Sequence, residues 1–170
     1  TDLGEAWQAK LGGRLSAPVI AGGRVLVSRS DAHAIECLDA ATGRRRWTYL
    51  AGGRVDSPPT VWRGRALFGS ADGWVTCLRL SDGAVCWRFR AAPAAMRLGA
   101  NEQVESAWPV HGTVLVRPGD TPGKAEVWFV AGRSMYLDGG LRLLRLDAGT
   151  GRLIAERVLD DRDPEGGKDR

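Results

Sequence analysis

Lysine is almost absent from this chain. Of the 24 basic residues in 170, 21 are arginine, and only Lys10, Lys124 and Lys168 differ. Histidine (His33, His111), methionine, tyrosine and cysteine are equally scarce. Two histidines far apart in sequence argue against a zinc site. The three cysteines, Cys37, Cys77 and Cys86, cannot all pair and include no CxxC spacing for a metal or redox couple. Cys77 and Cys86 fall across one predicted hairpin, but sequence does not fix whether the register brings them together. No apolar run approaches the roughly 18 residues of a membrane span. No stretch holds a 3.6-residue apolar period long enough for a helix. The chain begins at Thr1 without a signal segment and reads as a piece of something longer.

What is present is a mildly basic, 44 % hydrophobic chain of net charge +4. Residues 156–170 carry six acids against four bases, so the remainder stands at +6. That charge supports solubility more than it identifies a polyanionic partner. Arg44-Arg45-Arg46 lies in a hairpin turn with no aromatic interleaving, so it reads as a solvated edge, and no nucleic-acid partner is expected.

The chain repeats. Trp7, Trp47 and Trp87 recur at intervals of 40, as do Gly43 and Gly83, and Cys37 and Cys77; Pro18 and Pro59 are 41 apart. One unit runs from Ser16 to Tyr49 and the next from Ser57 to Phe89. In the first, Pro18 to Ile20, Arg24 to Ser28, Ala34 to Asp39 and Arg46 to Leu50 are strand-like, separated by turn residues at Gly22-Gly23, Ser30-Asp31 and Ala41-Thr42-Gly43. A diverged third unit begins near Ser106. Ala107 to Val110 and Thr113 to Val116 read as its first strands, and a polar hairpin tip follows at Arg117 to Ala125. Next come Val127 to Ala131, the loop Gly132 to Gly140, Leu141 to Asp147, the turn at Ala148 to Gly151 and a last strand to about Leu159. Ala155 stands where tryptophan recurs. Modules of four short antiparallel strands and about 40 residues are propeller blades. The expected fold is all-β, an open arc of about three blades plus one extra strand. Units lie at 13–50, 54–92 and 104–159, with 1–12 as the last strand of a preceding blade and 160–170 as a polar, frayed tail.

The segment Cys37-Leu38-Asp39-Ala40-Ala41-Thr42-Gly43-Arg44-Arg45-Arg46-Trp47, with Gly52 five residues on, resembles the tryptophan-docking motif A-x-D-x-x-T-G-x-x-x-W-x-x-x-x-G of quinoprotein (PQQ-like) propeller repeats. Cys37 replaces its opening alanine. The second copy keeps Gly83 and Trp87, with Arg79, Asp82 and Ala92 elsewhere; the third keeps Asp147, Thr150 and Gly151 and loses tryptophan. The earliest survives as Trp7 and Gly12. Physically, Thr-Gly closes a tight turn, Asp39 accepts from Thr42 or turn amides, and Trp47 offers a flat ring to the neighbouring blade and an indole N–H to a carbonyl. Trp7, Trp47 and Trp87 are therefore structural, and Cys37 and Cys77 are small buried hydrophobes.

A ring needs about four to eight blades. An open arc leaves an apolar face bare at each end, worth on the order of 10 kcal/mol per face. The expected partners are thus the remaining propeller blades or a second copy of the chain. Function is expected on the loops between second and third strands and between blades. These carry Arg29, Asp31, His33, Arg54, Asp56, Asp72, Glu102, Glu105, Trp108, Arg133, Tyr136 and Asp138, a set suited to a peptide or small polar ligand, although Asp31, Asp72 and Asp138 also suit Asx-type turns. The candidate ligand-binding residues are Glu105, Trp108, Arg133, Tyr136 and Asp138, around the long loop Gly132 to Gly140. No catalytic or metal-ligating residue is expected. The resemblance implies a non-catalytic scaffold or binding module in a periplasmic or cell-envelope setting, like exported bacterial propellers of outer-membrane assembly, sensing and adhesion. Its alternative implication is a fragment of a PQQ-dependent dehydrogenase with PQQ and Ca²⁺. That would need a Glu/Asn/Asp metal site, a basic residue on the quinone and a Trp floor. Asn101, Glu102 and Arg97 do not compose one, so no cofactor is expected.

Overall fold

A computed structural model describes residues 4, 6–100, 103–119 and 123–161. The first sheet is a four-stranded antiparallel meander of β1 (Val19–Ala21), β2 (Arg24–Arg29), β3 (Ala34–Asp39) and β4 (Arg45–Leu50). The second repeats it with β5 (Thr60–Trp62), β6 (Arg65–Gly69), β7 (Trp74–Arg79) and β8 (Val85–Arg90). A separate hairpin, β9 (Arg97–Ala100) and β10 (Gln103–Ser106), precedes the third sheet. That sheet consists of β11 (Leu115–Pro118), β12 (Ala125–Ala131), β13 (Leu141–Asp147) and β14 (Leu153–Leu159).

The inner strands of the first two sheets are buried along their length because each of these sheets is packed on both faces. Val25 and Val27 of β2 lie against Trp7, Ala9 and Leu11, whereas neighbouring Leu26 joins Ala66, Phe68 and Leu78 of the second sheet. The second sheet's Leu67, Val75, Cys77 and Trp87 in turn join Val127, Phe129, Leu144 and Leu146 of the third. Each sheet carries a bulge at the same place, beside Cys37, Cys77 and Arg145. The extra residue sets the tryptophan position opposite those side chains, so that Cys37 faces Trp47 and Cys77 faces Trp87. Burial pushes the Cys37 thiol up to about 11 and the Cys77 thiol up to about 12. All three cysteines are free, and Cys86 is exposed.

Two sequence expectations change here. Residues 107–110 form no strand: Pro109 has no N–H, and the amides of Ala107 and Val110 go to the carbonyls of Met96 and Ser70. The third sheet starts at Leu115, and the β9–β10 hairpin was not foreseen. The segment around Trp7, expected as the last strand of a preceding blade, has no partner strand among the described residues. Finally, the third sheet's outward face is not the bare apolar face expected. The row that reads Leu26, Cys37, Trp47 in the first sheet reads Trp128, Arg145, Ala155 there. Arg145 lies 4.7 Å over the Trp128 ring and 2.8 Å from Glu126, so charge pairing and cation–π stacking replace the apolar row. The expected tail beyond 161 and Glu102 lie outside the described residues.

Candidate functional site

The sheets have two differently built ends. At the turn end, the Asp39 carboxylate accepts from the Ala41 and Thr42 amides and the Thr42 hydroxyl. Asp147 accepts from Thr150 in the same way. The Thr42 hydrogen bond, with the turn amides, outweighs desolvation and holds Asp39 below the usual carboxylate range. Burial pulls Asp147 upward most strongly, but the combined Thr150 and Gly149 bonds prevail and its pKa also falls.

Each turn receives the ring of the preceding tryptophan. The indole N–H groups of Trp7, Trp47 and Trp87 donate to the carbonyls of Ala40, Leu80 and Ala148 at 2.9, 3.0 and 3.2 Å. Glycine is required beneath the ring. Gly83 has φ 75°, and a Cβ there would lie 2.8 Å from the Trp47 ring. Gly151 stands in the same relation to Trp87.

At the loop end, successive connections are stitched together. The Ser28 and Ser30 hydroxyls donate to the carbonyls of Ser57 and Val55. The Ala71 amide donates to Arg54, Ser106 to Ala71, and Gly132 to Pro109. Among these connections sits a charged cluster. Arg54 Nη2 lies 2.8 Å from Glu105 and 3.3 Å from Asp56. His111 reaches Asp56 through Nδ1 at 3.0 Å and Glu105 through Nε2 at 3.6 Å. Glu105 is only 2 % exposed, and these basic partners offset the cost of burying it.

The five candidate residues divide into two groups. Trp108, Arg133 and Asp138 come together: the Trp108 indole donates to the Asp138 carbonyl at 3.0 Å, and Arg133 pairs with the Asp138 carboxylate. Tyr136 rides on the same loop with 67 % of its surface exposed. Glu105 instead points into the Arg54 and His111 cluster. His111, which had no assigned role, completes that cluster from a position 55 residues beyond Asp56, a separation no local motif announces. The remaining loop acids are used differently from the expected Asx turns. Asp31 accepts the Arg14 amide, and Asp72 accepts the Ser70 hydroxyl. His33 meets Gln103 of the hairpin at 2.8 Å, and Arg29 pairs with Glu36.

Residues 4–169 match the protein family described as outer membrane protein assembly factor BamB. The chain belongs to this family. A BamB of Moranella endobia (strain PCIT) is 32 % identical over 91 residues, covering 50 % of this chain and 23 % of that protein. The crystal structure of BamB from Moraxella catarrhalis superposes with a TM-score of 0.62 at 17 % identity, covering 90 % of this chain and 39 % of the other. The quinohemoprotein alcohol dehydrogenase ADHIIG of Pseudomonas putida HK5 gives 0.69 at 20 % identity, covering 91 % and 22 %. These structural likenesses establish the fold as a PQQ-type β-propeller, seen here as an open set of blades. The chain spans less than half the length of the BamB proteins it matches.

The described loop-end residues of this BamB-family chain are not arranged as a quinone pocket. Trp7, Trp47 and Trp87 are seated on the turns, and Trp108 is committed to Asp138. The clustered acids Asp56 and Glu105 already face Arg54 and His111, and the described residues hold no group of three or more donors arranged for a metal.

Proposed function

We propose that the chain is a non-catalytic propeller segment in a bacterial envelope scaffold, which binds polypeptide through its loop end. The loop 132–140 carries this reading. The Gly132 amide, the Trp108 indole and the Arg133 side chain fasten both of its ends, and Asp138 adopts a left-handed φ of 56°. Between these anchors Met135, Tyr136 and Leu137 face outward, 42, 67 and 51 % exposed. An apolar tip held in one shape loses little entropy on binding, and aromatic anchors of this kind dominate protein interfaces. The relatives' description as outer membrane assembly factors supports a protein partner and an envelope setting.

Further blades, or a second copy, cover the outer flanks. There Ile20 and Leu50 of the first sheet and Leu115 of the third remain largely exposed.

The test is a photo-crosslinking residue placed at position 136 and, as control, at position 44 of the turn end. A discrete polypeptide adduct from 136 alone is expected. Equal adducts from both positions, or none from 136, would refute the reading.

A further inference from the structure

We infer that a notch beside the displayed loop recognises an acidic segment of the bound polypeptide. This rests on the protein-binding reading and names the partner's chemistry. A cavity of about 190 Å³ opens between the end of the second blade and the base of the β9–β10 hairpin. Register places Arg90 opposite Trp74 and Arg97 opposite Ser106, and all four line it. The remaining wall is largely alanine with Met96.

Most arginines of the chain are spent on internal partners, among them Arg29, Arg54, Arg79, Arg133 and Arg142. The side chains of Arg90 and Arg97 have no hydrogen-bond or ion-pair partner among the described residues, yet both residues border this cavity. The acid in the notch, Asp72, accepts the Ser70 hydroxyl and faces Arg88 at 4.0 Å. Arg88 is itself stacked 4.4 Å over the Trp74 ring. Two uncommitted guanidiniums therefore line the notch with one engaged carboxylate, beside an indole and an apolar wall.

This combination suits a carboxylate carried on a chain with apolar parts better than a small free anion, which would leave the apolar wall unused. The notch also adjoins the candidate loop. Gly73, beside Asp72, packs so closely that a Cβ would lie 3.0 Å from the Trp108 carbonyl, and Trp108 holds Asp138. An extended acidic segment can thus run from the Met135-Tyr136-Leu137 tip into the notch.

The experiment is fluorescence anisotropy on the full chain with a fluorescein-labelled hexaglutamate peptide, with hexaglutamine and inorganic phosphate as comparisons. R90Q/R97Q is measured against R44Q/R46Q, which removes the same charge from exposed positions at the turn end. Hexaglutamate is expected to bind in a salt-sensitive manner. R90Q/R97Q should weaken it about tenfold and R44Q/R46Q less than about twofold. Equal weakening by the two double variants, no binding of hexaglutamate, or phosphate binding as tightly through the same arginines would overturn the inference. Any of these overturning results with the position-136 adduct retained would sink this proposal alone. Loss of the adduct would sink the reading it rests on.

Discussion

The two ends of the same sheets use similar residue types for opposite purposes. At the turn end, aspartate, threonine, glycine and tryptophan are all consumed internally: Asp39 closes its own turn and Trp47 covers the next one. At the loop end, Trp108, Arg133 and Asp138 also bond internally, but what they hold in place is a tip whose side chains face solvent. Tryptophan at one end is the packed object, and at the other it is the clamp. A scaffold that binds through loops needs this division, because the seams must stay rigid under changes in the loops.

The comparison breaks most severely at the turn end. Trp47→Ala removes a buried indole from the seam and its bond to Leu80, and should cost about 3 to 5 kcal/mol in denaturant unfolding. A loss below about 1 kcal/mol would show that the ring does not hold the seam. Gly83→Ala forces a left-handed alanine against the same ring and should cost about 2 to 3 kcal/mol. Trp108→Phe, which keeps an aromatic ring but loses the indole bond to Asp138, should cost about 1 kcal/mol. Its larger signature is faster amide exchange confined to 132–140; uniform exchange across the chain would mean that the clamp is not local.

The smallest effect depends on pH. The folded pKa of Asp39 lies below its unfolded value, so its charge stabilises above the ordinary carboxylate range of about 4, and this contribution is lost as pH falls through the lower folded value. The Tm deficit of Asp39→Asn relative to wild type should therefore be present near pH 7 and shrink below about pH 4. A deficit unchanged with pH would show that the carboxylate's charge is not involved. Glu126, held low first by its Arg145 hydrogen bond, titrates with the same sign on the outward face of the third blade.

How much of this was readable follows from what is local. The turn and its tryptophan lie within one hairpin, so the spacing of Asp39, Gly43 and Trp47 already contained the turn, and the repeat at 40 residues contained the neighbour. The length of the loop 132–140 was equally visible. The β9–β10 hairpin was not, because Arg97-Leu98-Gly99-Ala100 has no β-branched residue and little alternation. Nor was the destination of Glu105, whose partners Arg54 and His111 come from two different connections. The motif spacing already set Ala155 against Trp47, but the charged outer face of the third blade is visible only once register brings Trp128 opposite Arg145 and Glu126 beside them.

The most direct measurement is the triple substitution M135S/Y136S/L137S, followed by thermal unfolding and by crosslinking from a photoreactive residue placed beside the tip at Ser134. The account predicts a Tm within about 2 °C of wild type and loss of the polypeptide adduct formed from position 134 in the otherwise unaltered chain. A large drop in Tm, or an adduct that survives unchanged, would contradict the claim that the loop end is held rigid in order to bind.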